Sequence, residues 1–310
     1  MFAGLILMTM TTGCSRFSTR RTPAFSGDLP TASEVVAAIN RNAQRARGLV
    51  AKDLDISTNQ VAVPLDGRLA LELPRRFRMF VFTPVTGITV ADIGSNDKEF
   101  WFYVAPPTQR ASLVHCSYED YGRVQSPLPF QPDWIFESLG LVPIAPDQNH
   151  LVQPGKRGTV ELVTPTTTAQ GQAATLITAV QPDSGIIVER RLEIPGQQQP
   201  IAKAVLSRHQ RDAESGLVYP TSIAIDWPEQ GMEMTIQMNR VEVNPQFDAY
   251  QSQEMWRLPY DKYVQAADAE NIDLGAQART RQPARPPVSR PNSGSRPLRT
   301  PGSRSSRFGS

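Results

Sequence analysis

Two thiols, three imidazoles and an adjacent pair of acids are the groups in this chain that could act on a substrate, and their spacing argues against catalysis. His115, His150 and His209 show no metal-ligand spacing with one another or with Cys116, so no metal site is expected. There is no Gly-x-Ser-x-Gly elbow, no His-Glu-x-x-His pair and no phosphate-cradling Gly-x-x-x-x-Gly-Lys loop. Glu119 and Asp120 are neighbours, and neighbours on a strand point to opposite faces, so they cannot converge on one substrate. A surface turn is expected there. Cys116 has no basic cluster beside it to lower its pKa and reads as a buried apolar residue. The expectation is a protein that is not an enzyme and needs no cofactor.

The other thiol sits in a different context. Phe2 to Met10 is an apolar run, closed by Thr11-Thr12-Gly13-Cys14. The run has signal-peptide length and is too short to span a bilayer. Small residues just before a cysteine resemble the cleavage site of a bacterial lipoprotein signal peptide. That resemblance implies removal of residues 1–13 and acylation of Cys14, which becomes the new N-terminus held in membrane lipid. Ser15 stands where an Asp often signals inner-membrane retention, so the expected location is the outer membrane, with the domain facing the periplasm. With Cys14 acylated, Cys116 has no partner for an internal disulfide, and the fold must rest on its core.

Charge is unevenly spread. From Arg279 to Arg307 there are eight arginines and no acid; setting these aside from the net +2 leaves about −6 for the rest. Pro, Ser, Gly and Arg dominate residues 277–310, which lack the apolar surface to offset ordering entropy and are expected to be a disordered tail. Such a tail suits an anionic surface; nucleic acid is not an expected partner of an exported chain. Residues 14–30, with Arg16, Arg20, Arg21, Pro23, Gly27 and Pro30, read as a flexible tether.

The elements follow from capping and periodicity. Thr31-Ala32-Ser33-Glu34 is a capping box, followed at helical spacing by Val35, Val36, Ile39, Ala43 and Ala46, with Gly48 as the expected stop. Beyond it the period changes to 2: Val61, Val63, Leu65; Leu69, Leu71, Leu73; then Phe77, Met79, Val81. Further strands are expected at 88–93 and 100–104 around a turn at 94–97, then at 159–163, 175–180, 186–194, 201–208, 221–226 and 232–243. A second helix starts near Pro132-Asp133 and carries Trp134, Ile135, Leu139 and Leu141. The fold class expected is mainly β: one domain over 31–259, a strongly curved antiparallel sheet or unclosed barrel with two helices as a lid, then a short connecting segment at 260–276.

This order of elements resembles the LolA/LolB group, which carries lipoproteins to the outer membrane, and is closer to its membrane-anchored LolB type. Three stretches carry the resemblance: Phe77-Arg78-Met79-Phe80-Val81-Phe82-Thr83-Pro84-Val85; Trp134-Ile135 with Leu139-Gly140-Leu141-Val142-Pro143; and Tyr219-Pro220-Thr221-Ser222-Ile223 with the strand from Met232 to Arg240. The resemblance implies an apolar cavity under a helical lid, lipid or lipoprotein acyl chains as ligand, and a soluble periplasmic carrier as partner. It also implies a membrane-seeking loop tip at Val85, a smaller residue than the leucine of the family pattern.

The physics of such a carrier is simple: acyl chains lose about 0.8 kcal/mol per CH₂ on leaving lipid for water, so crossing water requires an apolar shelter. Residues expected to line it are Leu69, Leu71, Leu73, Met79, Val81, Met232, Met234, Ile236 and Met238, with Val35, Val36, Ile39, Trp134, Ile135 and Leu139 as the lid. The alternative is that the same residues form an ordinary filled core, in a structural or interaction lipoprotein whose basic tail makes the contacts.

Overall fold

The computed structural model describes residues 28–106, 108–124, 134, 137–168, 171–182 and 184–281. Cys14, Ile135, most of the tether and the tail beyond 281 lie outside the described residues.

The chain opens with α1 (Ala32–Ala43), whose capping box is formed as the sequence indicates: the Thr31 hydroxyl accepts from Glu34 N, and the Glu34 carboxylate accepts from Thr31 N at 2.8 Å. The helix stops at Ala43, earlier than the expected glycine. Gly48 instead begins β1, where a Cβ would stand 2.6 Å from the Leu71 carbonyl oxygen; close strand packing, not helix termination, requires glycine here.

Fourteen strands then form one curved, unclosed sheet. The first half is a meander: β1 (Gly48–Thr58), β2 (Val61–Glu72), β3 (Arg76–Phe82), β4 (Thr89–Ser95), β5 (Glu99–Val104) and β6 (Ser112–Ser117). The 61–65 and 69–73 runs are one strand, β2, with only Leu73 beyond its end. β4 continues through Ser95, so the turn that follows is tighter than expected, its Asn96 Oδ1 accepting from Lys98 N and Glu99 N. A short helix, α2 (Tyr118–Tyr121), replaces the turn expected at Glu119-Asp120; Ser117 caps it, and Asp120 is buried while Glu119 is exposed.

The second half runs through β7 (Leu151–Pro154), β8 (Val160–Thr167), β9 (Ala173–Val180), β10 (Ile187–Glu193), β11 (Ala202–Ser207), the small hairpin β12 (Gln210–Arg211) and β13 (Val218–Tyr219), β14 (Ser222–Trp227) and β15 (Met232–Val243). β15 pairs antiparallel with β1 and joins the two halves. Its alternation holds from Met232 to Met238; Arg240, with φ of 48°, then resets it so that Val241 and Val243 pack against the core.

The segment expected only to connect, 260–276, belongs to the ordered fold. After α3 (Ala249–Met255) and one turn of π-helix at Asp261–Gln265, β16 (Glu270–Asp273) pairs parallel with β6 and becomes a sheet edge. The helix α4 (Leu274–Arg281) takes in the first residues assigned to the tail, and Arg279 pairs with Asp120. This arm also covers the outer face of β3 to β5, where Tyr263 stacks on Tyr103 at 3.7 Å between ring centroids. β5 is therefore buried on both faces, which explains its unbroken apolar run Phe100 to Tyr103. Gly94 lets Trp101 lie across that face; a Cβ would come 2.3 Å from its ring.

Candidate functional site

The face of the sheet on which α1 packs, here the inner face, collects nearly all the residues expected to line a shelter. Leu69, Leu71, Met79, Val81, Ile236 and Met238 are buried in one apolar cluster with Val35, Val36, Ile39, Trp134 and Leu139. Register explains the convergence: Leu69 lies opposite Met79 and Ala51, and Met238 opposite Leu54. Leu73, Met232 and Met234 are partly buried against the same cluster. Two hollows of about 830 and 650 Å³ lie elsewhere, the first beside Lys156, Glu189 and Lys203 and the second beside Arg76, Trp256 and Arg257.

The roof of the inner face is tied down by two asparagines. Asn40 Nδ2 donates to the Ile144 carbonyl and Asn40 Oδ1 accepts from Ile144 N, each at 2.8 Å. Asn42 makes the same pair of bonds to Val218, also at 2.8 Å. Each amide thus reproduces the backbone exchange of a β-ladder, a signal the sequence carries only as two polar residues on a helix. The other contacts of α1 with the sheet are chiefly apolar.

Cover is uneven along the inner face. Toward the end carrying the turns at 59–60, 83–88 and 228–231, burial falls off. Met232 and Met234 are only partly buried there, although Trp227 opposite Met232 is 2 % exposed; Val63, 55 % exposed, lies where the β1–β2 register slips between the Ile56–Leu65 and Thr58–Val61 pairs. The 83–88 loop leaves that same end, with Val85 96 % and Ile88 63 % exposed. The sequence singled out Val85 but not Ile88 or Val63.

The remaining reactive groups are absorbed by structure. His150 bonds Thr164 Oγ1 and the Ala145 carbonyl, His209 the Ile187 carbonyl and His115 the Asn271 amide oxygen. Burial, aided by Asp120, pushes the Cys116 thiol up to about 11. Among the described residues no group of His, Cys, Asp and Glu could hold a metal, and no helix is long and apolar enough to cross a membrane.

A scan of protein-family models and a search of curated proteins found no match to this chain. Several solved structures are similar to it. A DUF1329 family protein from Desulfovibrio piger aligns over 73% of this chain and 98% of its own, at 11% identity and a TM-score of 0.48. A domain described as an outer-membrane lipoprotein-sorting protein, from Vibrio parahaemolyticus, covers 73% and 100% at 10% identity and 0.48. A LolA superfamily protein from Nitrosomonas europaea covers 74% and 99% at 8% identity and 0.44.

Proposed function

We propose that this chain is a non-enzymatic, lipid-anchored envelope protein that takes acyl chains of lipids or lipoproteins onto the inner face of its sheet. Its anchor is Cys14, its place the periplasmic side of the outer membrane and its task lipoprotein localisation, with a soluble carrier as partner. The observation that carries the reading is the gradient of cover on the inner face. The apolar inner face is roofed by α1, Trp134 and residues 137–141, yet Met232 and Met234 are less covered at one end, beside an apolar loop tip. A chain entering there meets Met234 and Met232 first, and methionine adapts to variable shapes. Lifting α1 requires breaking four asparagine hydrogen bonds and exposing Val35, Val36 and Ile39.

A second reading, a scaffold with a filled core, is favoured by the near-complete burial of Leu71, Met79 and Met238. Acyl-probe binding separates the two. Met234→Glu places a charge at a partly buried site, so the fold survives while affinity for a fluorescent fatty-acyl probe falls at least tenfold. Undiminished binding places Met234 outside the acyl site; no binding by the unaltered protein supports the scaffold. Cys14→Ser moves the protein from the membrane to the soluble fraction; unchanged fractionation refutes the anchor.

A further inference from the structure

Arg190 is a buried guanidinium on the inner face, 5 % exposed, opposite Thr178 on β9 and Ala204 on β11. Two other arginines of the sheet differ from it in one respect. Arg78 is paired through Nε and Nη2 with both oxygens of Asp92, and Arg191, facing outward, meets Glu161, Glu189 and Glu193. Arg190 forms no ion pair among the described residues. Its Nη1 donates to the Glu137 carbonyl at 2.6 Å, and its buried Nε has no hydrogen-bond partner. Burial lowers its pKa, and the Glu137 charge offsets only part of that. A desolvated cation facing a neutral carbonyl is a poor arrangement unless an anion joins it. Nε and Nη2 make the edge of a guanidinium that a carboxylate or phosphate takes with two parallel bonds.

We propose that Arg190 seats the acidic head, carboxylate or phosphate, of the amphiphile whose chain lies on the inner face. The inference rests on the acyl-binding reading above and narrows its ligand to anionic amphiphiles. Its cross-strand neighbours Thr178 and Ala204 are small, and the buried Nε edge becomes accessible to a ligand when the roof that carries Glu137 lifts. Among the described residues the one other buried arginine or lysine is Arg78, which is paired with Asp92 on the outer face.

The test compares oleate, oleoyl lysophosphatidate and oleyl alcohol, which share a chain, with acetate and inorganic phosphate, which have none. The full chain is expected to bind at least one of the two acids about tenfold or more tighter than the alcohol, as charge-assisted paired bonds require. The tighter acid names the head. Arg190→Met is expected to abolish the preference while retaining the alcohol's affinity. Should that variant fail to fold, Arg190→Lys keeps the charge without the two-pronged edge, and the preference drops several-fold. A preference undiminished in the folded variant overturns the proposal. So does acetate or phosphate competing at the concentrations at which oleate binds, which indicates a site for a free small anion. Failure of every chain, alcohol included, overturns the acyl-binding reading itself.

Discussion

Asp92 has no exposed surface, yet it accepts hydrogen bonds from Arg78 Nε and Nη2 at 3.0 and 2.9 Å and from the Tyr263 hydroxyl at 2.8 Å. Arg78 in turn donates to the Met255 carbonyl at 2.7 Å and lies over the Phe80 ring. Burial, with the Asp92 charge beside it, pushes the Tyr263 phenol far up, so it stays a donor. These groups join β3, β4 and the C-terminal arm on the outer face. Asp92→Ala strands a buried guanidinium, and the expected loss is about 3–5 kcal/mol in urea unfolding; a loss under about 1 kcal/mol shows that the pair carries little of the arm's attachment. Nothing in the sequence marks this cluster, because Asp92 and Tyr263 are 171 residues apart and no local spacing relates them. The inner-face residues were legible for the opposite reason: period 2 puts Leu69 and Leu71 on one side of β2 and Phe77, Met79 and Val81 on one side of β3, and the short turn between the strands brings the two rows together.

At the scale of elements, legibility follows regularity. The capping box locates the start of α1, and the alternation in Met232 to Met238 places β15, because both signals are local. β1 has no comparable pattern: the register shift between Ala51 and Leu54 breaks its alternation. β16 is four residues long and pairs with a strand far earlier in the chain, so composition near the tail hid it. The roof was legible as an amphipathic helix, but not the way it is held. Each of Asn40 and Asn42 makes two bonds of about 0.5–1.5 kcal/mol. Replacing both with Ala is expected to speed amide hydrogen exchange throughout α1 while leaving β1 and β15 unchanged. Equal protection in both proteins means the apolar stripe alone holds the roof, and its opening does not depend on the asparagines.

For the whole molecule, one sheet of fourteen strands is covered differently on its two faces. On the outer face of β3 to β5 the C-terminal arm is locked by a buried ion pair and stacked tyrosines. The inner face is apolar, roofed by elements tied through neutral amides, and less covered at one end. Opening the first arrangement separates a buried ion pair, whereas opening the second breaks the Arg190 bond to the Glu137 carbonyl and moves the Glu137 charge away from it. The account stands on that inner face receiving acyl chains. Mass spectrometry of lipids that co-purify with the intact protein, set against the Met234→Glu variant, tests it most directly. The expected result is a near-stoichiometric acyl-chain lipid on the unaltered protein and its loss from the variant. A lipid-free protein that also takes up no added oleate contradicts the account and leaves a scaffold with a filled core.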